Sequence, residues 1–423
     1  MLTVAWKFDL DNFEREVEAE AARIKTSRPK ADKPIAQAND DPGELGEWDA
    51  GADPGFIPPR EWLLANQFCR RFISSIVAAG GAGKSALRLV QFISLAIGRS
   101  LCGQHIFKRC RVLLISLEDD THELQRRITA VLDHFHIDRS ELKGWLFCAS
   151  PQLAKLAVRV NNKTRIVGPL ERQIRATIAR RNPDIISLDP FIKTHALEEN
   201  DSGDMDFVCD LLARLAVEFN IAVDSPHHVH KGMITPGDAD SGRGSSGIRD
   251  AGRLVYTLTP MSEEEAKAFG VPLEDRHLYI RLDSAKVNIT ARSGKPTWFK
   301  LIGIAIGNST EEYPNGDTVQ VVVPWSPPET WAGLSPDTLN DALNHIARGN
   351  DRGQRYSAAA SSGKDRAAWL VVQQYCPTKT EGQCREIIKA WLKSGLLIED
   401  DYDDPIYRKP VKGLHVDDAK RPG

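Results

Sequence analysis

The chain has 423 residues, of which 41% are hydrophobic and 27% charged, and a formal net charge of −3. That balance excludes a disordered or highly basic chain and gives no bulk electrostatic attraction to nucleic acid, although a local basic surface can sit in a neutral whole. Seven scattered cysteines form neither a C-x-x-C motif nor a Cys/His cluster at zinc spacing, as expected for reduced thiols. The N-terminus lacks the apolar core of a signal peptide and no run reaches membrane-spanning length, so the expectation is a cytoplasmic protein with no membrane partner. The length admits about three domains, or one large domain with appendages.

Residues 1–55 read as peripheral. Leu10, Phe13, Val17, Ala21 and Ile24 recur at helical spacing among Glu14, Glu16, Glu18 and Glu20, an acidic amphipathic helix that suits a partner contact or a flap on its own domain. Ser27 to Gly55 is rich in Pro, Asp, Gly and Ala and reads as a linker.

A core is expected from about 56 to 325. The apolar run Phe72 to Val77 suits a buried strand, and Ala86 to Ile97 has helical spacing. Between them stands A-A-G-G-A-G-K-S, Ala78 to Ser85. Strand, small-residue loop, Lys-Ser and helix is the layout of a phosphate-binding loop. Ala79, Gly80, Gly81, Ala82 and Gly83 leave room for backbone N–H groups to face phosphate oxygens, with the helix dipole behind them. Lys84 is placed to reach the outer phosphates and the Ser85 hydroxyl to hold Mg²⁺. Ala78 departs from the pattern, which asks for Gly there; the alternative is a Gly-rich turn before a surface lysine.

Further strands follow. Arg111 to Leu117 is a continuous apolar run ending in Glu118-Asp119-Asp120; a helix follows, on Leu124, Ile128, Val131, Leu132 and Phe135. Asp184 to Leu188 ends at Asp189-Pro190, a helix is expected at about 204–219, and Ile221 to Val223 leads to His227-His228. Strands alternating with helices predict an α/β fold with a mostly parallel sheet, whose ligands sit beyond the carboxyl ends of the strands. Lys84, Glu118, Asp189 and His228 all fall there. Gly232 to Gly247 reads as a loop, Arg253 to Leu258 and Leu278 to Leu282 as strands, and Ala291 to Pro296 as a hairpin tip.

Residues 335–416 form a different unit. Three helices are expected around Leu339–Ile346, Trp369–Tyr375 and Cys384–Leu392, then a hairpin of Leu396–Glu399 with Ile406–Lys409 across the acidic turn Asp400–Asp404. Three helices and a hairpin give a winged-helix-like α+β domain. Its third helix carries Arg385, Lys389 and Lys393, which suits DNA, while the acidic turn does not.

Triphosphate hydrolysis needs a cradle, a metal, a group that orients water and positive charge for the transition state. Asp189 suits the metal together with Ser85, and Glu118 the general base. Helix N-capping is the other reading of both acids. His228 reads as a sensor of the terminal phosphate or as a sheet-edge histidine; zinc is disfavoured. Arg253 is a surface residue or a finger for a neighbouring subunit.

The order of motifs A-A-G-G-A-G-K-S, I-S-L-E-D-D, I-I-S-L-D-P, H-H-V-H-K-G, R-G-S-S-G-I-R-D-A-G-R and S-A-K-V-N resembles the RepA-type replicative helicases of plasmids, within the RecA/DnaB-like hexameric P-loop ATPases. The resemblance spans about 56–310. It implies a RecA-like fold, ATP and Mg²⁺ as cofactors, a hexameric homo-oligomer with sites between subunits, and translocation on single-stranded DNA, with replication-initiation proteins as partners. It implies that Lys84 and Ser85 are the phosphate-loop pair, Glu118 the catalytic base, Asp189 the Mg²⁺-linked acid, His228 the sensor and Arg253 a finger acting in trans. Arg243 and Lys286 fall in matching motifs, and Lys231, Arg243, Arg292 and Lys295 lie near the loops expected to face DNA. The N-terminal extension and the C-terminal unit depart from the family. Two rival readings stay open: a RecA-fold ATPase that unwinds nothing, and a winged-helix DNA-binding factor whose assembly ATP controls.

Overall fold

The computed structural model describes residues 48–151, 154–160, 164–228, 234–238, 251–291, 293–328, 335–359 and 363–421. The expected acidic helix of residues 10–24, most of the Gly232–Gly247 loop, Lys231, Arg243 and Arg292 lie outside them. By contacts the chain divides into Met1–Pro59 and Arg60–Gly423. Of the first unit, residues 48–59 are exposed irregular chain with one turn.

The second unit begins with a small ladder, β1 (Trp62–Leu64) against β2 (Phe68–Cys69). Then come β3 (Ile73–Ala78), α1 (Lys84–Ile97), β4 (Val112–Ser116), α2 (Thr121–Phe135) and β5 (Leu146–Ala149). A side sheet is built from β6 (Ala157–Val160), β7 (Thr164–Val167) and, later, β9 (His195–Ala196). Between them run α3 (Pro169–Arg181) and β8 (Ile185–Asp189). The core continues with α4 (Ser202–Glu218), β10 (Ala222–Asp224), β11 (His227–His228), β12 (Leu254–Pro260) and α5 (Glu263–Phe269). Three long strands follow: β13 (Tyr279–Val287), β14 (Thr297–Ala305) and β15 (Thr318–Pro324).

Among the described residues the main sheet has ten strands in the order β15-β14-β13-β12-β3-β10-β8-β4-β5, with β11 beside β3. From β12 to β5 every pairing is parallel; β13, β14 and β15 extend the sheet antiparallel. β3, at the centre, is buried at all six positions, which is why its sequence runs apolar or small without alternation. One hydrophobic cluster packs α1 and α2 against one face; a second packs α3 and α4 against the other. Tight turns follow the helices: Gly98 ends α1 in the left-handed region, and Asn182 does so for α3.

The C-terminal segment has its own core, in which Trp391, Ile387, Val372 and Leu343 meet. It comprises α6 (Pro336–Arg348), α7 (Ala368–Tyr375), α8 (Glu381–Ser394) and the antiparallel pair β16 (Leu397–Asp403) and β17 (Pro410–Val416). The hairpin corrects the expectation in register. Asp400 to Asp403 are strand, not turn, and Ile406 to Lys409 lie in the connection before β17, not in a strand. The cause is Asp404. Its buried carboxylate accepts from the Ile406 and Tyr407 amides at 2.8 and 2.9 Å and from Gln354 Nε2 at 2.8 Å, so the chain reverses after it.

Candidate nucleotide site

The loop between β3 and α1 makes a cradle. Gly81 and Gly83 take φ of 76° and 85°, left-handed values that bulkier residues resist. At Gly80 and Gly81 a Cβ would meet nothing within 4 Å, so their faces are open. Gly83 precedes α1 with no side-chain cap, leaving the first-turn N–H groups for a ligand. Ala78, where the motif asks for Gly, is the fully buried last residue of β3, so its methyl belongs to the core and not to the cradle.

Five sequence-predicted side chains meet at this loop. Lys84 is buried and its Nζ donates to Asp189 Oδ1 at 2.8 Å, with His228 Nε2 at 3.3 Å. Ser85 Oγ donates to Asp189 Oδ2 at 2.6 Å. His228 Nε2 lies 3.8 Å from Glu118 Oε2. The strand ladder explains the convergence. Ser116 at the end of β4 pairs with Asp189 on β8, and His228 on β11 pairs with Ala78 on β3, so all these residues leave the sheet at one edge. Capping of α2 belongs to Asp120, which accepts from the Glu123 amide at 2.7 Å, and Glu118 is therefore free of that duty.

Arg253 is not part of this cluster. It is exposed and immediately precedes β12, with its amide donating to the Ile73 carbonyl at 3.2 Å, at the start of β3. β12 reaches the level of Ala78 only at Leu258, five residues on, so Arg253 stands roughly 16 Å along the sheet from the phosphate loop of its own chain.

A cavity of about 570 Å³ opens over the loop. Its floor is Ala79 and Gly81 to Ala86, and its wall is made by Arg126 and Arg127 of α2 and by Asp317 with the first residues of β15, Thr318 to Gln320. Arg126 Nε donates to Asp317 Oδ2 at 2.9 Å and closes one side. Arg127 Nε lies 3.1 Å from Asp119 and 3.0 Å from Glu123. Burial pushes the Asp119 carboxyl above its ordinary range, against the pull of Arg127. The sequence reading did not single out these wall residues. Arg126 and Arg127 follow Glu118 by two helical turns and carried a faint signal; Asp317 to Gln320 carried none.

The donor set fits a magnesium-bound triphosphate. Open glycine faces, a buried lysine whose partner is a carboxylate, and a hydroxyl at 2.6 Å from the same carboxylate supply phosphate and hard-cation ligands. Ser85 Oγ and Asp189 would hold the cation, which when bound neutralises charge on the phosphates. Among the described residues no group of three or more His, Cys, Asp or Glu residues could hold a metal by itself, and no helix is long and apolar enough to cross a membrane.

Two solved structures are similar to this chain at low identity. The crystal structure of the RadB recombinase matches at 10% identity over 55% of this chain and 88% of that one, with a TM-score of 0.36. A KaiC-like protein from Pyrococcus horikoshii OT3 matches at 14% identity over 61% and 92%, with a TM-score of 0.35. Residues 39–233, just under half of the chain, match the family model described as AAA domain, and the phosphate loop and most of the parallel sheet fall within them.

Proposed function

We propose that this chain is an ATP-driven DNA translocase and helicase of the RepA type, working as a hexameric ring, with residues 56–325 as its motor and 335–416 as a winged-helix-like adaptor. The observation that carries the ATPase part is the joining of Lys84, Ser85, Asp189, His228 and Glu118 through distances of 2.6–3.8 Å at one sheet edge. In the cycle, Lys84 exchanges Asp189 for phosphate oxygens and leaves that carboxylate to the metal. Glu118, exposed and 3.8 Å from His228 Nε2, orients and deprotonates the attacking water. His228 touches both Lys84 and Glu118, so it can relay the loss of the terminal phosphate to the segment that follows it. Arg253 stands too far from its own site to serve it, which supports action on the site of a neighbouring copy.

A second reading has its own observation. Arg385 and Lys389 of α8 are ion-paired with Glu381 and Glu386 at 2.8 and 2.6 Å, and Glu399, Asp400 and Asp401 of β16 are exposed. Such a surface favours a protein partner over phosphate, which suits a RecA-fold ATPase switch that unwinds nothing. The test is ATP hydrolysis with and without single-stranded DNA, and separation of a forked duplex, by wild type and Lys84→Ala. The helicase reading expects hydrolysis stimulated by DNA, strand separation, and loss of at least ~100-fold in rate for the variant. Hydrolysis that ignores DNA and separates nothing leaves the switch; no hydrolysis at all sinks both.

A further inference from the structure

Beneath the phosphate site lies a buried polar network that catalysis does not use. Arg88 is one turn beyond Lys84 on α1 and only 1% exposed. Its guanidinium donates to Asp224 Oδ1 at 2.7 Å, to Gln91 Oε1 at 2.8 Å and to Gln67 Oε1 at 3.1 Å, and the Phe68 ring covers it at 4.6 Å. Asp224, fully buried on β10, also accepts from Ser74 and Ser187, each at 3.1 Å. Those serines flank it in register on β3 and β8. Ser187 precedes Asp189 by two residues on the same strand, hence on the same face. Burial pushes the Asp224 carboxyl up and the Arg88 guanidinium down, each opposed by the other's charge.

The network is poorly explained as a source of stability. Exchanging a buried ion pair for apolar side chains of similar volume is often neutral or stabilising. What it supplies is direction. The apolar contacts of α1, through Leu87, Val90 and Ile93, tolerate small rotations of the helix; a planar fork held from outside the helix by the Asp224 carboxylate and the Gln67 carboxamide does not. Lys84 and Arg88 are four residues apart and project from one helical face, so fixing the second fixes the first.

We propose that Arg88 and Asp224 are positioning residues for the phosphate site. They lock the rotation of α1 over β10 and β8, and so hold Lys84 and Ser85 within reach of Asp189. This rests on the ATPase reading above.

The experiment compares wild type, the double variant Arg88→Met/Asp224→Leu and the single variant Arg88→Lys. It reads thermal midpoint, titration with a fluorescent ATP analogue, and KM and kcat for ATP. The double variant removes both charges together, so no unpaired ion is left in the core. It is expected to melt close to wild type while kcat falls at least ~30-fold with KM within ~3-fold, as misplacement of about 1 Å does in positioned sites. Arg88→Lys keeps the charge without the fork and is expected to recover part of kcat. Wild-type kcat in a folded double variant overturns the proposal. Should the double variant not fold, wild-type kcat in Arg88→Lys overturns it equally. A wild-type protein that neither binds nor hydrolyses ATP removes the phosphate-site reading itself, which is a separate result from an active wild type with active variants.

Discussion

Gly83 shows how narrowly the phosphate loop is drawn at the residue scale. Its φ of 85° is one that L side chains rarely adopt, and an added Cβ would sit 2.9 Å from Leu301 Cδ2 and 3.4 Å from Ile280 Cδ1. Gly83→Ala is therefore expected to cost about 1–3 kcal/mol in stability and to weaken ATP binding as α1 moves off the apolar wall. A denaturant melt and a nucleotide titration check this; an alanine variant with wild-type values in both would refute it. Glycine at this position was legible from the sequence, because the motif states where the backbone must turn. The reason it cannot yield was not, since Leu301 and Ile280 belong to strands more than a hundred and ninety residues away in the chain. Asp120 teaches the complementary lesson. Helix capping was the alternative reading of Glu118, and the hydrogen bond donated by the Glu123 amide gives the cap to Asp120 instead.

At the scale of elements, the side sheet β6-β7-β9 carries a pH sensitivity. His195 on β9 is buried beside the Phe191 ring, at 5.2 Å between centroids. Burial, with the charge of Lys155 adding to it, pushes its imidazole down from 6.5 to about 4. An unfolded chain takes up that proton near 6.5, whereas the folded chain does so only near 4. Between those values the unfolded state binds more protons, so stability falls as pH drops through the window, by about 3 kcal/mol in all. Unfolding midpoints from pH 7.5 to 4.5 should show this loss in wild type and a flatter profile in His195→Gln; parallel profiles would refute it. The side sheet itself was not foreseen, because its strands are short and half-buried and leave no long apolar run. The C-terminal hairpin was foreseen with the wrong register. Its acidic residues looked like a turn by composition, but one buried aspartate, Asp404, takes the turn and leaves the other acids to the strand.

At the scale of the whole molecule, Arg253 is the residue whose role depends on assembly. One chain cannot bring it to its own phosphate loop, since parallel strands β3 and β12 put the two at opposite ends. If the finger works in trans, Glu118→Gln and Arg253→Ala should each abolish hydrolysis alone yet restore it when mixed. Random assortment in a closed ring makes about a quarter of the interfaces complete. Steady-state ATPase of premixed, re-assembled chains measures this, and a mixture as dead as its components would refute the role.

The sequence by itself determined the starting pieces of the core: a buried strand, a glycine loop ending in Lys84-Ser85, and acids at the tips of later strands. These are legible because periodicity and backbone permissiveness are local properties. Only the tertiary structure decided that Arg126 meets Asp317, that Arg88 meets Asp224 beneath the site, and that Arg253 does not meet Lys84. Those pairings follow from strand order and from the folding of β15 back beside α2. They join residues far apart in the chain, so no short window of sequence contains the information.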